Sequence, residues 1–126
     1  MLPHDPAEAA LKPIVYIDDE PMLCRVFQKI LTDRGASAVT FTDPEAALAY
    51  LRDHEVAAVI CDYRMPMITG LQVLDRVAEG VPFFLVSGDL GITASRGNAR
   101  VTGVLTKPFR PETLLEMIEP YIAIPD

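Results

Sequence analysis

The sequence predicts an α/β domain, a doubly wound parallel sheet of five strands with helices on both faces. Three observations carry this. Short runs that are apolar on every residue recur along the chain, and such runs suit strands buried on both sides. Helical patterns separate them, and strand–helix–strand alternation with right-handed crossovers builds a parallel sheet wound in both directions. The third is size: 126 residues make one domain, long enough to bury roughly two thirds of the surface that its unfolded form exposes.

Ile14 to Asp18 (IVYID) is β-rich and reads as the first strand. Pro21 suits the first turn of a helix. Met22, Leu23, Val26, Phe27, Ile30 and Leu31 supply its apolar side, and Gly35 ends it. Ala38 to Phe41 is a shorter, weaker strand. Asp43-Pro44 is a cap followed by a first-turn proline, opening a helix through Leu51. Val56 to Cys61 is a third strand ending in Asp62, followed by a short helix over Leu71 to Val77. Phe83 to Val86 is a fourth strand ending in Ser87-Gly88. Residues 89–102 have little periodicity and stand where a fourth helix would be. Val104 and Leu105 form a fifth strand ending at Thr106-Lys107-Pro108, and Pro111 opens a last helix with Leu114, Leu115, Ile118, Tyr121 and Ile122 on its apolar side. Residues 1–12 read as a loose leader and 124–126 as a tail, leaving 13–123 as the folded domain.

Composition removes several function classes. Eleven basic against 18 acidic residues give a net charge of −7 and a pI near 4.7. Nucleic acid and anionic membranes both demand a basic surface, so neither is expected as a partner of this domain. The apolar runs are too short to span a bilayer. The N-terminal stretch carries two prolines and no apolar core of a signal peptide, which points to the cytoplasm. Cys24 and Cys61 are then expected as buried thiols, not a disulfide. His4 and His54 read as solvated, Met65-Pro66-Met67 as a packing loop, and Glu112, Glu116 and Glu119 as a wet helix face.

The chemistry gathers at strand ends. Asp18, Asp19 and Glu20 close the first strand, Asp62 the third, Ser87 the fourth and Lys107 the fifth. Singly, each has an ordinary explanation: an acidic triplet is more often a solvated loop, an Asp after a strand a cap, Ser-Gly a turn, Lys-Pro a surface dipeptide. Together they fall on the carboxyl edge of one sheet, where ligands of open α/β sheets bind. Crowded carboxylates raise at least one pKa unless a cation is present. Oxygen ligands suit Mg²⁺, with Mn²⁺ as a substitute. Lys107 would add a positive charge and Ser87 a hydrogen-bond donor. A carboxylate so flanked is arranged to attack a phosphoryl group.

The series IVYIDDE, VICDYRMPMITG, FFLVSG and VLTKPF resembles the receiver domain of two-component response regulators, over about residues 13–122. The strongest piece is D-x-x-M-P-x-x-x-G: Asp62, Met65, Pro66 and Gly70. The resemblance implies a flavodoxin-like strand order 2-1-3-4-5. It implies Asp62 as phosphoacceptor, Asp19 as a direct Mg²⁺ ligand, Asp18 as a ligand through water, and the backbone carbonyl of Arg64 as a further ligand. Ser87 would be the switch hydroxyl and Lys107 the phosphate-binding lysine, joined to Pro108 by a cis bond. The implied donor is a sensor histidine kinase or phosphotransfer protein, acting ahead of a downstream target. A homodimer is compatible with it, and substrate turnover is not expected.

Two departures from that pattern stand out. Val104 occupies the place of an aromatic residue that usually rotates inward with the hydroxyl. Residues 89–102 carry Gly91 and Gly97, and are expected to be the most mobile part and the seat of the response. Two other functions remain open at this stage. An aspartate-nucleophile phosphatase of the haloacid dehalogenase type uses the same residue kinds, but needs D-x-D-x-[TV] where this chain has Asp18-Asp19-Glu20-Pro21. A receiver serving only as a phosphorylation-independent docking surface is the other.

Overall fold

Four aliphatic or aromatic residues in a row, Ile14–Ile17, form strand β1 with every side chain buried. The structure is a computed structural model and describes residues 12–88 and 99–122. Around β1 the sheet assembles in the order β2-β1-β3-β4-β5, where β2 is Ala38–Phe41, β3 Ala58–Asp62, β4 Phe83–Ser87 and β5 Gly103–Thr106. All pairings are parallel. The reversal of direction falls between β1 and β3, the place where such sheets open a crevice.

Alternation along the strands divides the core in two. On one face Ile14, Tyr16, Ala58, Ile60, Phe84, Val86 and Leu105 pack under helix α1 (Pro21–Asp33) and helix α4 (Pro111–Ile118), through Cys24, Phe27 and Leu31 of the first and Leu114 and Ile118 of the second. On the other, Val15, Ile17, Val59, Cys61, Phe83 and Leu85 pack under α2 (Pro44–Asp53) and α3 (Gly70–Leu74), through Ala47, Leu48, Val73 and Leu74. Each fully buried Leu, Ile or Phe contributes about 1.5–3 kcal/mol by leaving water. The strands of this doubly wound sheet therefore read as continuous apolar runs because both faces are covered.

Helix ends follow the local sequence. Asp43 accepts a hydrogen bond from the Glu45 N–H at 3.1 Å and caps α2. Gly35 adopts φ 81° past the end of α1, where its N–H and that of Ala36 bond to the carbonyls of Thr32 and Leu31. Only a residue without a Cβ enters that left-handed turn cheaply.

Several expectations need correction. Strand β3 begins at Ala58 and not at Val56, and α4 ends at Ile118, with Glu119–Tyr121 in a tighter 3-10 turn. Met22 and Val26 of α1 are 63% and 41% exposed. The sheet takes only the stripe Cys24–Phe27–Leu31, and with 3.6 residues per turn Val26 lies about 100° from it. Helix α3 starts one residue earlier than expected and stops at Leu74. Thr69 and Gln72 form a reciprocal capping box at its start. Beyond Leu74 the Arg76 and Val77 N–H groups bond three residues back, to Val73 and Leu74. That tightens the chain out of α geometry while still burying Val77. Finally, Met65 packs into the core but Met67 is 93% exposed.

Arg100 braces the end of α3. Its guanidinium donates to the carbonyls of Leu74 at 3.0 Å and Val77 at 2.6 Å. A cation there meets carbonyls at and past the end of the α-helical bonding, where the helix dipole favours positive charge. The expectation about mobility in 89–102 falls largely on residues 89–98, which lie outside the described residues.

Candidate functional site

Register brings the strand ends level. Ile17 pairs with Cys61, so Asp18 and Asp62 come next to each other as β1 and β3 end. Asp62 in turn pairs with Val86, and Ser87 with Thr106. Tyr16 and Asp18 share one side of their strand by its two-residue period, as do Ile60 and Asp62, and Leu105 and Lys107. Asp18, Asp62 and Lys107 thus extend from the face that carries α1 and α4.

Carboxylate oxygens of Asp18, Asp19 and Asp62 all lie within 4.8 Å of one another. Asp18 is fully buried and Asp62 5% exposed, while Asp19 is the more open of the three. The Lys107 ammonium lies 3.1 Å from Asp18 Oδ2, 3.3 Å from Asp62 Oδ1 and 3.3 Å from Glu20 Oε2. Asp18 has two further donors: the Glu20 N–H bonds Oδ1 at 3.0 Å, and the Tyr16 hydroxyl bonds Oδ2 at 2.8 Å.

Burial and the neighbouring Asp18 charge push the Asp62 carboxyl up to about 6, against the opposing pull of Lys107. Burial works to lower the Lys107 ammonium, but its hydrogen bond to Asp18 and the charges of Asp18 and Asp62 prevail and raise it. One ammonium therefore leaves an excess of negative charge in a small volume. The donor set is entirely oxygen, which fits a hard divalent cation and not zinc or copper.

Ser87 is buried at the end of β4, and its carbonyl accepts the Lys107 N–H at 2.8 Å. The Lys107–Pro108 bond is cis, in keeping with the resemblance. Arg64 sits two residues past Asp62, exposed, in an isolated bridge with Thr69. Gly70 then returns the loop to β3: its N–H bonds the Tyr63 carbonyl at 2.8 Å. A Cβ on Gly70 would come within 2.6 Å of Leu85 and 2.9 Å of the Asp62 carbonyl, so this approach needs glycine.

The remaining candidates separate from the site. Val104 is 43% exposed. Tyr63 is half-buried against the α2–α3 face. His54 is exposed but not simply solvated: its ring stacks on Tyr50 with centroids 3.9 Å apart. Cys24 and Cys61 are free and buried; burial and the Asp18 charge raise the first thiol, burial and the Asp62 charge the second. Glu112 and Glu116 are exposed, and Glu119 is held by Arg34 at 3.0 Å. Two partners of the acidic cluster went unread in the sequence, Glu20 as a ligand of Lys107 and Tyr16 as a donor to Asp18. The second had a signal: a hydroxyl in an aliphatic strand, two residues before an aspartate and so on its face.

The family model for the response regulator receiver domain matches residues 14–119. The chain belongs to that family. The receiver is 32% identical to the response regulator Rre1 of Synechocystis over 87% of its own length and 51% of that protein's. It is 29% identical to the transcriptional regulatory protein FixJ of Bradyrhizobium diazoefficiens, over 84% of this chain and 54% of FixJ. Among solved structures it matches the Vibrio cholerae chemotaxis response regulator CheY4 with a TM-score of 0.79 and 26% identity, covering 88% of this chain and 98% of that one. The receiver spans about half the length of the curated relatives named here. Membership displaces the haloacid dehalogenase alternative, because the same residue kinds now belong to a signalling domain. No helix among the described residues is long and apolar enough to cross a membrane.

Proposed function

We propose that the receiver accepts a phosphoryl group on Asp62 from the phosphohistidine of a sensor histidine kinase or phosphotransfer protein, with Mg²⁺ bound by Asp18, Asp19 and Asp62. The observation that carries this is the cluster itself: three carboxylates within 4.8 Å of one another, two of them in contact with Lys107, Asp18 at 3.1 Å and Asp62 at 3.3 Å. In this reading an Asp62 oxygen attacks phosphorus as the P–N bond breaks. The electron pair stays on the imidazole nitrogen, so a ring protonated at its other nitrogen leaves neutral. Mg²⁺, when bound, neutralises phosphoryl oxygens and lets a crowded carboxylate act as a nucleophile.

The protein groups have separable tasks. Lys107 offers its ammonium to the oxygens of the arriving group and releases part of its hold on Asp62. Asp19, the most open carboxylate, is the direct metal ligand, and the Arg64 carbonyl completes that side. Asp18, whose oxygens already accept from Glu20, Tyr16 and Lys107, acts through water. Ser87 supplies its hydroxyl to the phosphorylated form. With Val104 exposed in place of an aromatic ring, the response proceeds without a rotating ring there.

Residues 13–123 are the receiver unit in this account. Its place is the cytoplasm, which suits two unpaired thiols. Its acidic surface directs it to protein partners, a second copy among them, and not to nucleic acid or membrane. The test is incubation with a small acyl phosphate and Mg²⁺, read as intact mass. One added phosphoryl group is expected, and none when a chelator is present throughout the incubation. An unchanged mass with Mg²⁺ and excess donor would point to the docking-only receiver.

A further inference from the structure

Tyr16 occupies the middle of β1 with no exposed surface. Its neighbours on that face of the sheet, Ile14, Ala58, Ile60 and Val86, are apolar. A phenol in such surroundings needs a partner for its hydroxyl, and the partner here is Asp18 Oδ2 at 2.8 Å. The ring that delivers the hydroxyl is itself held: Phe27 of α1 stacks on it with centroids 4.4 Å apart and planes 15° from parallel. Asp18 is thereby gripped at both oxygens, by the Glu20 N–H on Oδ1 and by Tyr16 on Oδ2. The terminal torsion of an aspartate is broad when nothing holds it, and these two donors define the plane of the carboxylate. Its remaining lone pairs then face Lys107 and the space shared with Asp19 and Asp62.

We propose that Tyr16 is a positioning residue for the divalent cation, its buried hydroxyl fixing the plane of the Asp18 carboxylate so that the acidic cluster is preformed for the metal. This rests on the reading of Asp18, Asp19 and Asp62 as the Mg²⁺ site. Groups that orient metal-site carboxylates typically carry about 10–100-fold in affinity, which sets the expected effect.

The test is Tyr16→Phe, which keeps the ring against Phe27 and removes only the donor. Mg²⁺ binding is measured by calorimetry on the full chain, with thermal unfolding recorded without metal. The half-saturating Mg²⁺ concentration should rise about tenfold or more. Labelling by acyl phosphate should return to the wild-type extent once Mg²⁺ saturates. Leu114→Val, a core change on α4, serves as the control for general loosening and should leave Mg²⁺ half-saturation in place. In the wild-type protein the Tyr16 ring resonances should move during a Mg²⁺ titration with the same midpoint as the calorimetric isotherm. Mg²⁺ affinity within twofold of wild type in Tyr16→Phe, or ring resonances that do not move, overturns the role of Tyr16 and leaves the cation site standing. Failure of the wild-type chain to bind Mg²⁺, or undiminished binding in Asp19→Ala, overturns the cation site and this inference with it.

Discussion

Lys107 and Asp62 meet at 3.3 Å although their strands are not neighbours: β4 lies between β3 and β5. The lysine side chain reaches across that strand's end and on to Asp18. Replacing it with methionine keeps the aliphatic stem and removes the only cation in contact with this cluster among the described residues. The metal-free Lys107→Met protein should be less stable than wild type at pH 8, by on the order of 2 kcal/mol. That is below the cost of breaking a fully buried pair, because the site has an open side. Denaturant melts at pH 8 and pH 4 check it, and the gap should narrow at pH 4 as the carboxyls take up protons.

The Asp62 carboxyl gives a pH signature of known sign. It ordinarily ionises near 3.8 and is raised to about 6 in the fold, by burial and the Asp18 charge. Between those values the native state holds a proton that the unfolded chain has released. Its contribution to stability is therefore greatest below pH 4, is lost as pH rises to 6, and is level above. Asp62→Asn removes this slope. The variant should gain on wild type from pH 4 to 6, by about 1 kcal/mol or more in the absence of metal. Paired melts across that window measure it, and Mg²⁺ should reduce the difference.

Much of this site could be read from the residues before any coordinates. Asp18, Asp62, Ser87 and Lys107 each end an apolar run, and parallel register brings three of their side chains to one face. What escaped was set by neighbours distant in sequence. The exposure of Met22 and Val26 depends on how wide a stripe of α1 the sheet accepts. The early stop of α3 goes with carbonyls to which Arg100, far along the chain, donates. The capping box of Thr69 and Gln72 is written in the sequence, but the apolar pattern begins only at Leu71 and so points to a later start.

Gly70 tests the packing under Asp62. Its missing Cβ would stand 2.6 Å from Leu85 and 2.9 Å from the Asp62 carbonyl, and the second of these is backbone. Gly70→Ala should cost about 1–3 kcal/mol by overpacking. It should also slow labelling of Asp62 at saturating Mg²⁺, since the shift bears on that residue's own carbonyl. Urea melts and single-turnover labelling read the two effects separately.

Arg100 offers a test at the other end of α3. Arg100→Ala leaves the Leu74 and Val77 carbonyls without their guanidinium donor. A loss of about 1–3 kcal/mol is expected, as for hydrogen bonds from a charged donor. Amide exchange should show it locally, with Val73 to Val77 losing protection and β1 unchanged.

Of three clustered carboxylates, Asp62 is proposed to take the phosphoryl group. Borohydride reduction of the acyl-phosphate-treated protein converts a phosphorylated aspartate to homoserine, and peptide mass mapping locates it. Homoserine is expected at position 62 alone, dependent on Mg²⁺, with Asp18 and Asp19 intact. Homoserine at position 18 or 19 in the wild-type chain, or labelling that persists without any divalent cation, would contradict it.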